Sequence, residues 1–268
     1  MTEPGADLVI DRARSETLAF RLRALTPARV GLARTGVSQE TTDLLDFQRC
    51  HAQARDAVHS RLEAAALAPT LAQISGSEVL RLHSAAPDRP TYLQRPDLGR
   101  QLDTQSRAQL AAIHPAVAPQ LAIIVADGLS ALAVERHAAQ LLESLLPHLD
   151  NWPLAPICIV EQARVAIGDE IGQALNAAIS IVLIGERPGL SSPDSLGAYI
   201  TWQPRPGRTD SERNCISNIR AEGLSYAQAT AQLSYYLHEA RRLQLTGIAL
   251  KEAAPSLSLA DTQEDVQK

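Results

Sequence analysis

Three almost uninterrupted apolar runs constrain this chain most: Leu121–Ala126, Ile157–Val160 and Ile179–Gly185. Each falls far short of the ~20 residues a membrane helix needs. Each also lacks the polar alternation of a half-exposed strand, so each reads as a strand buried on both faces. Helical patterns lie between and after them. Val134, Ala138, Leu141, Leu142 and Leu145 mark one amphipathic helix, and Asp169–Leu175 a shorter one. Ser225–Leu243 forms a last helix, with Ser225 as its cap and Leu233, Leu237 and Ala240 along one face. Ala198–Trp202 alternates weakly and suits a fourth strand at a sheet edge. Strands alternating with helices at this spacing imply βαβ units and a mostly parallel sheet.

The N-terminal third has a different texture. Leu18, Phe20, Leu22 and Leu25, interleaved with arginines, suggest a short helix over Ala13–Leu25, broken by Pro27 and Gly31. Leu44, Phe47, His51, Ala54, Val58 and Leu62 recur every three or four residues and line one face of a second helix. Ser38–Thr42 supply its N-cap candidates, and Pro69 closes the segment. Val79–Leu82 is a short strand candidate, the stretches 88–90 and 95–100 are rich in turn residues, and Ser106–Ile113 suggests a helix. The fold class expected is therefore α/β: a helical N-terminal region over 1–100, then a Rossmann-like, mostly parallel sheet flanked by helices over 101–252. The polar tail, 253–268, reads as disordered.

Composition excludes several functions. With 25 Lys and Arg against 30 Asp and Glu, the net charge is −5, against the basic excess of general nucleic-acid binders. Aromatic residues are 3% of the chain, too few for base-stacking platforms. The acidic N-terminus, with Leu8–Ile10 as its apolar run, shows no secretory signal core. Three scattered cysteines make no disulfide framework, and neither CxxC nor HExxH is present to hold zinc.

In open α/β sheets ligands bind beyond the carboxyl ends of the strands. The loops there are 127–130, 161–167 and 185–190. Glu186 follows the strongest strand directly, and its carboxylate can accept hydrogen bonds from ligand amides or amines. The alternative reading pairs it with Arg187 at the surface. Asp127-Gly128 reads as an Asx-type turn. No GxSxG surrounds Ser130 or Ser191, and neither GxxxxGK[ST] nor GxGxxG occurs. Cys50, Cys158 and Cys215 each have the default reading of a small buried hydrophobe. The histidines do not pair at ligand spacing, and Arg205–Arg213 reads as a solvated loop.

At these loops the sequence resembles a known family. The blocks are Tyr-Leu-Gln-Arg-Pro-Asp-Leu-Gly-Arg (92–100), Val-Ala-Asp-Gly-Leu-Ser (125–130), Asp-Glu-Ile-Gly (169–172), Leu-Ile-Gly-Glu-Arg-Pro-Gly-Leu (183–190) and Asn-Cys-Ile-Ser-Asn-Ile (214–219). With Thr-Pro-Ala-Arg-Val-Gly-Leu (26–32) and Asp-Phe-Gln-Arg-Cys-His (46–51), they resemble the small (light) subunit of ethanolamine ammonia-lyase from about Thr26 to Leu250. The resemblance implies an adenosylcobalamin-dependent radical lyase that converts ethanolamine to acetaldehyde and ammonia. It implies a hetero-oligomer with a large subunit that binds ethanolamine, this chain clamping the cobalamin from the other side and being inactive alone.

The same resemblance carries over Val165, Glu186 and Cys215 as cobalamin contacts, and no catalytic residue. Base-off cobalamin domains use an Asp-x-His-x-x-Gly motif that is absent here, so the cofactor is expected base-on. The expected location is the bacterial cytoplasm, with a bacterial microcompartment as the alternative. About two dozen residues precede Thr26, fewer than in the enteric relatives whose N-terminal extension is thought to guide such packaging. The rival functional reading is a non-catalytic scaffold subunit of the same fold without cofactor.

Overall fold

A computed structural model describes residues 18–26, 28–32, 34–113 and 117–251. Met1–Arg12, the first five residues of the segment Ala13–Leu25, and the tail 253–268 lie outside that range. Residues 18–25 are helical, as the pattern of leucines predicts. Helices α1 (Thr41–His59) and α2 (Ala64–Ser75) follow, then strand β1 (Val79–His83) and helices α3 (Arg89–Gln94) and α4 (Thr104–Ala111). The remainder alternates: β2 (Leu121–Ala126), α5 (Ala131–Leu145), β3 (Ile157–Glu161), α6 (Ile167–Ala174), β4 (Ile179–Gly185), β5 (Leu196–Trp202), β6 (Arg213–Ile219) and α7 (Tyr226–Leu243).

The six strands form one sheet in the order β1-β3-β2-β4-β5-β6. The first four run parallel, while β5 and β6 pair antiparallel. The expected α/β class with a mostly parallel sheet is what the chain adopts. The edge strand β1 comes from within the first 100 residues.

Side chains alternate across the sheet because successive strand residues face opposite ways. Leu121, Ile123 and Val125 pack with α2, α5 and α7 on one face. Ala122, Ile124 and Ala126 pack with α4 and α6 on the other. Every residue of β2 and β4 is buried, which explains their continuous apolar character. Ser130 caps α5 by accepting from the Ala133 N–H, and Ser225 and Gln228 form a capping box on α7.

Several local expectations change. β5 lies between β4 and β6, not at an edge; the outer strand is β6, whose mixed pattern hid it. Pro69 does not end a helix but sits inside α2, after a fresh start at Ala64. Asp88-Arg89-Pro90 opens a short helix instead of a turn: Asp88 accepts from the Thr91 N–H, and Pro90 sits in the first turn, where its missing donor costs nothing. The N-cap of α1 is Glu40, which makes no side-chain cap, because Ser38 and Gln39 pair with Arg34 and Thr35 in a two-rung hairpin. Leu44 and Phe47 of the expected face are exposed, while Cys50 and Ala57 are the buried residues of α1.

Candidate functional site

The chain leaves β2 for β3 on one side and later returns to β4 on the other. Such a reversal opens a crevice at the carboxyl ends of the two central strands, the place where α/β sheets bind ligands. A cleft of about 460 Å³ lies there, within the range of roughly 300–1,000 Å³ usual for small-molecule sites. Its wall is built from all three loops singled out in the sequence: Gly128 and Leu129 after β2, Arg164 and Val165 after β3, Gly185 and Glu186 after β4. Tyr92 and Tyr199 close the sides.

Two glycines let these loops meet. Gly128 has φ +58°, and a Cβ there would stand 2.2 Å from the Gly185 carbonyl oxygen. A Cβ on Gly185 would stand 2.0 Å from the Ser130 carbonyl oxygen. Instead the backbones touch directly, the Leu129 N–H donating to Gly185 O at 2.9 Å.

Glu186 is half-buried and firmly held. Ser195 and Ser217 donate their hydroxyls to its two carboxylate oxygens, and the Asn218 N–H donates to Oε2 at 3.1 Å. These partners, not Arg187, fix the side chain. A carboxylate offers about four acceptor sites, so Oε1, with one donor, keeps capacity for another. Gly197 makes room for the group: a Cβ there would lie 3.0 Å from Oε1. Ser195 follows Asp194, which Arg136 holds at 2.7 Å and Arg220 approaches at 3.4 Å. Although burial opposes ionisation, Arg136, Arg220 and His137 together keep the Asp194 carboxyl below its ordinary pKa. A second cleft, of about 660 Å³ and lined by Ser191, Ser192, Ser195 and Arg220, lies on the other side of Glu186. The carboxylate therefore stands in the wall between two clefts.

Asp127 is fully buried and does not make the turn expected of it. Its carboxylate reaches across to the β3 loop, accepting from the Gln162 and Ala163 N–H groups at 2.9 Å each. Arg89 lies 3.4 Å away. Burial pushes the Asp127 carboxyl up to about 6 against the pull of those donors. The residue ties two strand ends together behind the cleft.

Val165 is half-buried on the cleft wall and packs against the lower core. Cys215 stands one strand further out. It is the register partner of Tyr199, a residue of the cleft wall. Burial, then Cys215 and Glu186, push the Tyr199 hydroxyl well above the ordinary phenol range. Val165 and Glu186 thus face one cleft, and Cys215 supports its tyrosine wall. Cys50 and Cys158 are buried packing residues, and burial alone pushes the Cys158 thiol up to about 12.

Most of 205–212 is exposed, as the reading of a solvated loop expects, and Arg213 at its end is the exception. It is buried and makes a two-pronged pair with Asp169, at 2.7 Å on each prong, joining β6 to α6. Burial works against the guanidinium charge, and the Asp169 hydrogen bonds outweigh it, holding the Arg213 pKa above its usual value. Sequence reasoning also missed Tyr92, Arg164, Tyr199, Ser195 and Ser217 at the cleft. The signals available were the place of Tyr92 and Ser217 in matched blocks and of Arg164 in a strand-end loop; Tyr199 and Ser195 had none.

The sequence profile of the ethanolamine ammonia-lyase light chain (EutC) matches residues 17–251. The ethanolamine ammonia-lyase small subunit of Xanthomonas campestris pv. campestris is 57% identical over 239 residues, 87% of each chain. That of Pseudomonas aeruginosa is 55% identical over 246 residues, 90% of each chain. The Pseudomonas syringae pv. tomato small subunit is 52% identical over 259 residues, 95% of this chain and 90% of its own. A match of this length and identity, running through every loop of the cleft, shows that the chain belongs to the ethanolamine ammonia-lyase light-chain family.

Proposed function

We propose that this chain is the small subunit of an adenosylcobalamin-dependent ethanolamine ammonia-lyase in the bacterial cytoplasm. It acts with a large subunit that binds ethanolamine, and it holds one side of the cobalamin. The observation that carries this reading is the cleft at the strand-order reversal, where Glu186, Val165 and the Cys215-backed Tyr199 converge.

The donor set fits a corrinoid. The corrin rim carries primary amides, and Glu186 Oε1 has acceptor capacity for an amide N–H on the cleft side. Val165 supplies apolar contact for the ring edge. A corrinoid exceeds a cleft of about 460 Å³, so this chain would cover part of it and leave the rest to the large subunit. When bound, cobalamin supplies the hard step, homolysis of its cobalt–carbon bond. This chain binds, orients and excludes water, and none of its residues is assigned as acid, base or nucleophile.

The test is reconstitution. The purified chain alone should not turn over ethanolamine. Added to its large subunit with adenosylcobalamin, it should restore turnover and retain a corrinoid absorption spectrum. A competent large subunit that gains no activity sinks the proposal. If the chain is needed for assembly but corrinoid affinity is the same without it, the scaffold reading replaces it.

A further inference from the structure

Two arginines flank the ring of Tyr92, and they differ in what they have left to give. The Arg89 guanidinium carbon lies 4.8 Å from the ring centroid and that of Arg164 lies 4.2 Å. Arg89 is tied into the fold and does not line the cleft, although its buried Nη2 also has no partner. Its Nε donates to Val58 O at 2.7 Å and its Nη1 to Gly128 O at 2.8 Å, and Asp127 offsets its charge. Arg164 lines the cleft and, among the described residues, makes no ion pair. Its one side-chain hydrogen bond is long, from Nη2 to Tyr92 O at 3.4 Å, and its buried Nε has no partner.

Arg164 is nevertheless held in place. The Tyr92 ring beneath it is anchored by donation of its hydroxyl to Ala163 O at 3.0 Å. The Arg164 N–H donates to Gly99 O at 2.7 Å. Gly99 leaves the space for this stack: a Cβ there would meet Tyr92 at 2.9 Å and Arg164 Cγ at 3.0 Å. A planar cation fixed over an aromatic face, half-desolvated and with donors to spare, loses little freedom when an acceptor arrives. Arg187 also lines the cleft but is exposed, so solvent screens its charge.

We infer that Arg164 is the residue of the cleft that binds an acceptor oxygen of the corrinoid, opposite in sense to Glu186, which binds a donor. The inference rests on the cofactor reading above. A corrinoid offers two sources of that oxygen, the amide carbonyls of the rim and the phosphodiester of the nucleotide tail, and both suit a guanidinium.

The experiment uses the complex of this chain with its large subunit and follows corrinoid affinity by visible-absorption titration. Arg164→Gln should weaken hydroxocobalamin binding about tenfold or more, with the thermal midpoint of the complex unchanged. Arg164→Lys keeps the charge without the stacked plane, and should fall between. Cobinamide, which lacks the phosphodiester tail, separates the sources. An equal loss with cobinamide points to a rim amide, and no loss with cobinamide points to the phosphodiester. Unsubstituted affinity for both corrinoids in a folded Arg164→Gln complex overturns the inference and leaves the cofactor reading standing. If Arg164→Gln does not fold, the Arg164→Lys complex decides by the same criterion. Absence of corrinoid binding by the unsubstituted complex overturns both.

Discussion

The central strands and the N-terminal segment both carry large apolar residues but use them differently. In β2 and β4 every side chain is buried. Across 18–59, Phe20 is 75% exposed and Leu25 83%, and Leu44, Leu45 and Phe47 are also exposed. The hydrophobic effect acts on area removed from water, so apolar residues stabilise one region and contribute little to the other. The sheet region also contains the buried ionic links, Arg213–Asp169 and Arg89–Asp127, each with side chains almost wholly covered. Ion pairs in the N-terminal segment, such as Arg49–Asp46, are largely solvated and are worth ~1 kcal/mol or less. Stability is therefore concentrated in the sheet, next to the cleft.

The sharpest way to break this contrast is to orphan a buried charge. Arg213→Met leaves Asp169 unpaired and should destabilise the chain by about 3–5 kcal/mol, read from urea unfolding. A loss below ~1 kcal/mol would show that the pair is as weak as a surface one. Gly185→Ala tests the close approach behind the cleft. Its methyl group cannot fit against the Ser130 carbonyl, so a cost of about 1–3 kcal/mol is expected by the same measurement. An unchanged midpoint would mean that the two loops can separate.

An effect of comparable size, but dependent on pH, follows from Asp127. Its carboxyl titrates at about 6 when folded, against 3.8 as the ordinary value. The native state then binds the proton more tightly than the unfolded chain. The contribution of this group is full below pH 3.8 and falls as pH rises to about 6. Unfolding curves across that window should show the decline in the parent chain and its absence in Asp127→Asn. Parallel pH profiles would exclude Asp127 as its source. The smallest effect belongs to the N-terminal segment, where Leu25→Ser should shift the stability of the isolated chain by less than ~0.5 kcal/mol. A cost as large as that of Gly185→Ala would erase the distinction between the regions.

Much of the fold was legible because burial leaves a local trace. Continuous apolar runs revealed β2, β3 and β4, and three- or four-residue spacing revealed α5 and α7. Strand β6 left little trace, since its buried and exposed residues do not alternate and Cys215, Ser217 and Asn218 are exposed. Pro69 and Asp88–Pro90 misled because a proline inside a helix or in its first turn looks the same in sequence as one that ends it. At the site, Glu186 was found from its place after a strand, whereas its holders Ser195 and Ser217 were not.

By itself, then, the sequence determined the α/β class, the strand-end loops where a ligand can bind, and the absence of phosphate-loop, nucleophile-elbow and zinc motifs. Through its matched blocks it also determined the family. The tertiary structure decided which distant residues share the cleft: Tyr92 under Arg164, Gly128 against Gly185, Ser217 on Glu186. The reason is physical. Periodicity reports how deeply a segment is buried, but strand order and helix packing decide what it is buried against. That order brings residues from six separate stretches of chain to one end of the sheet, around a carboxylate and an arginine that local pattern could not pair.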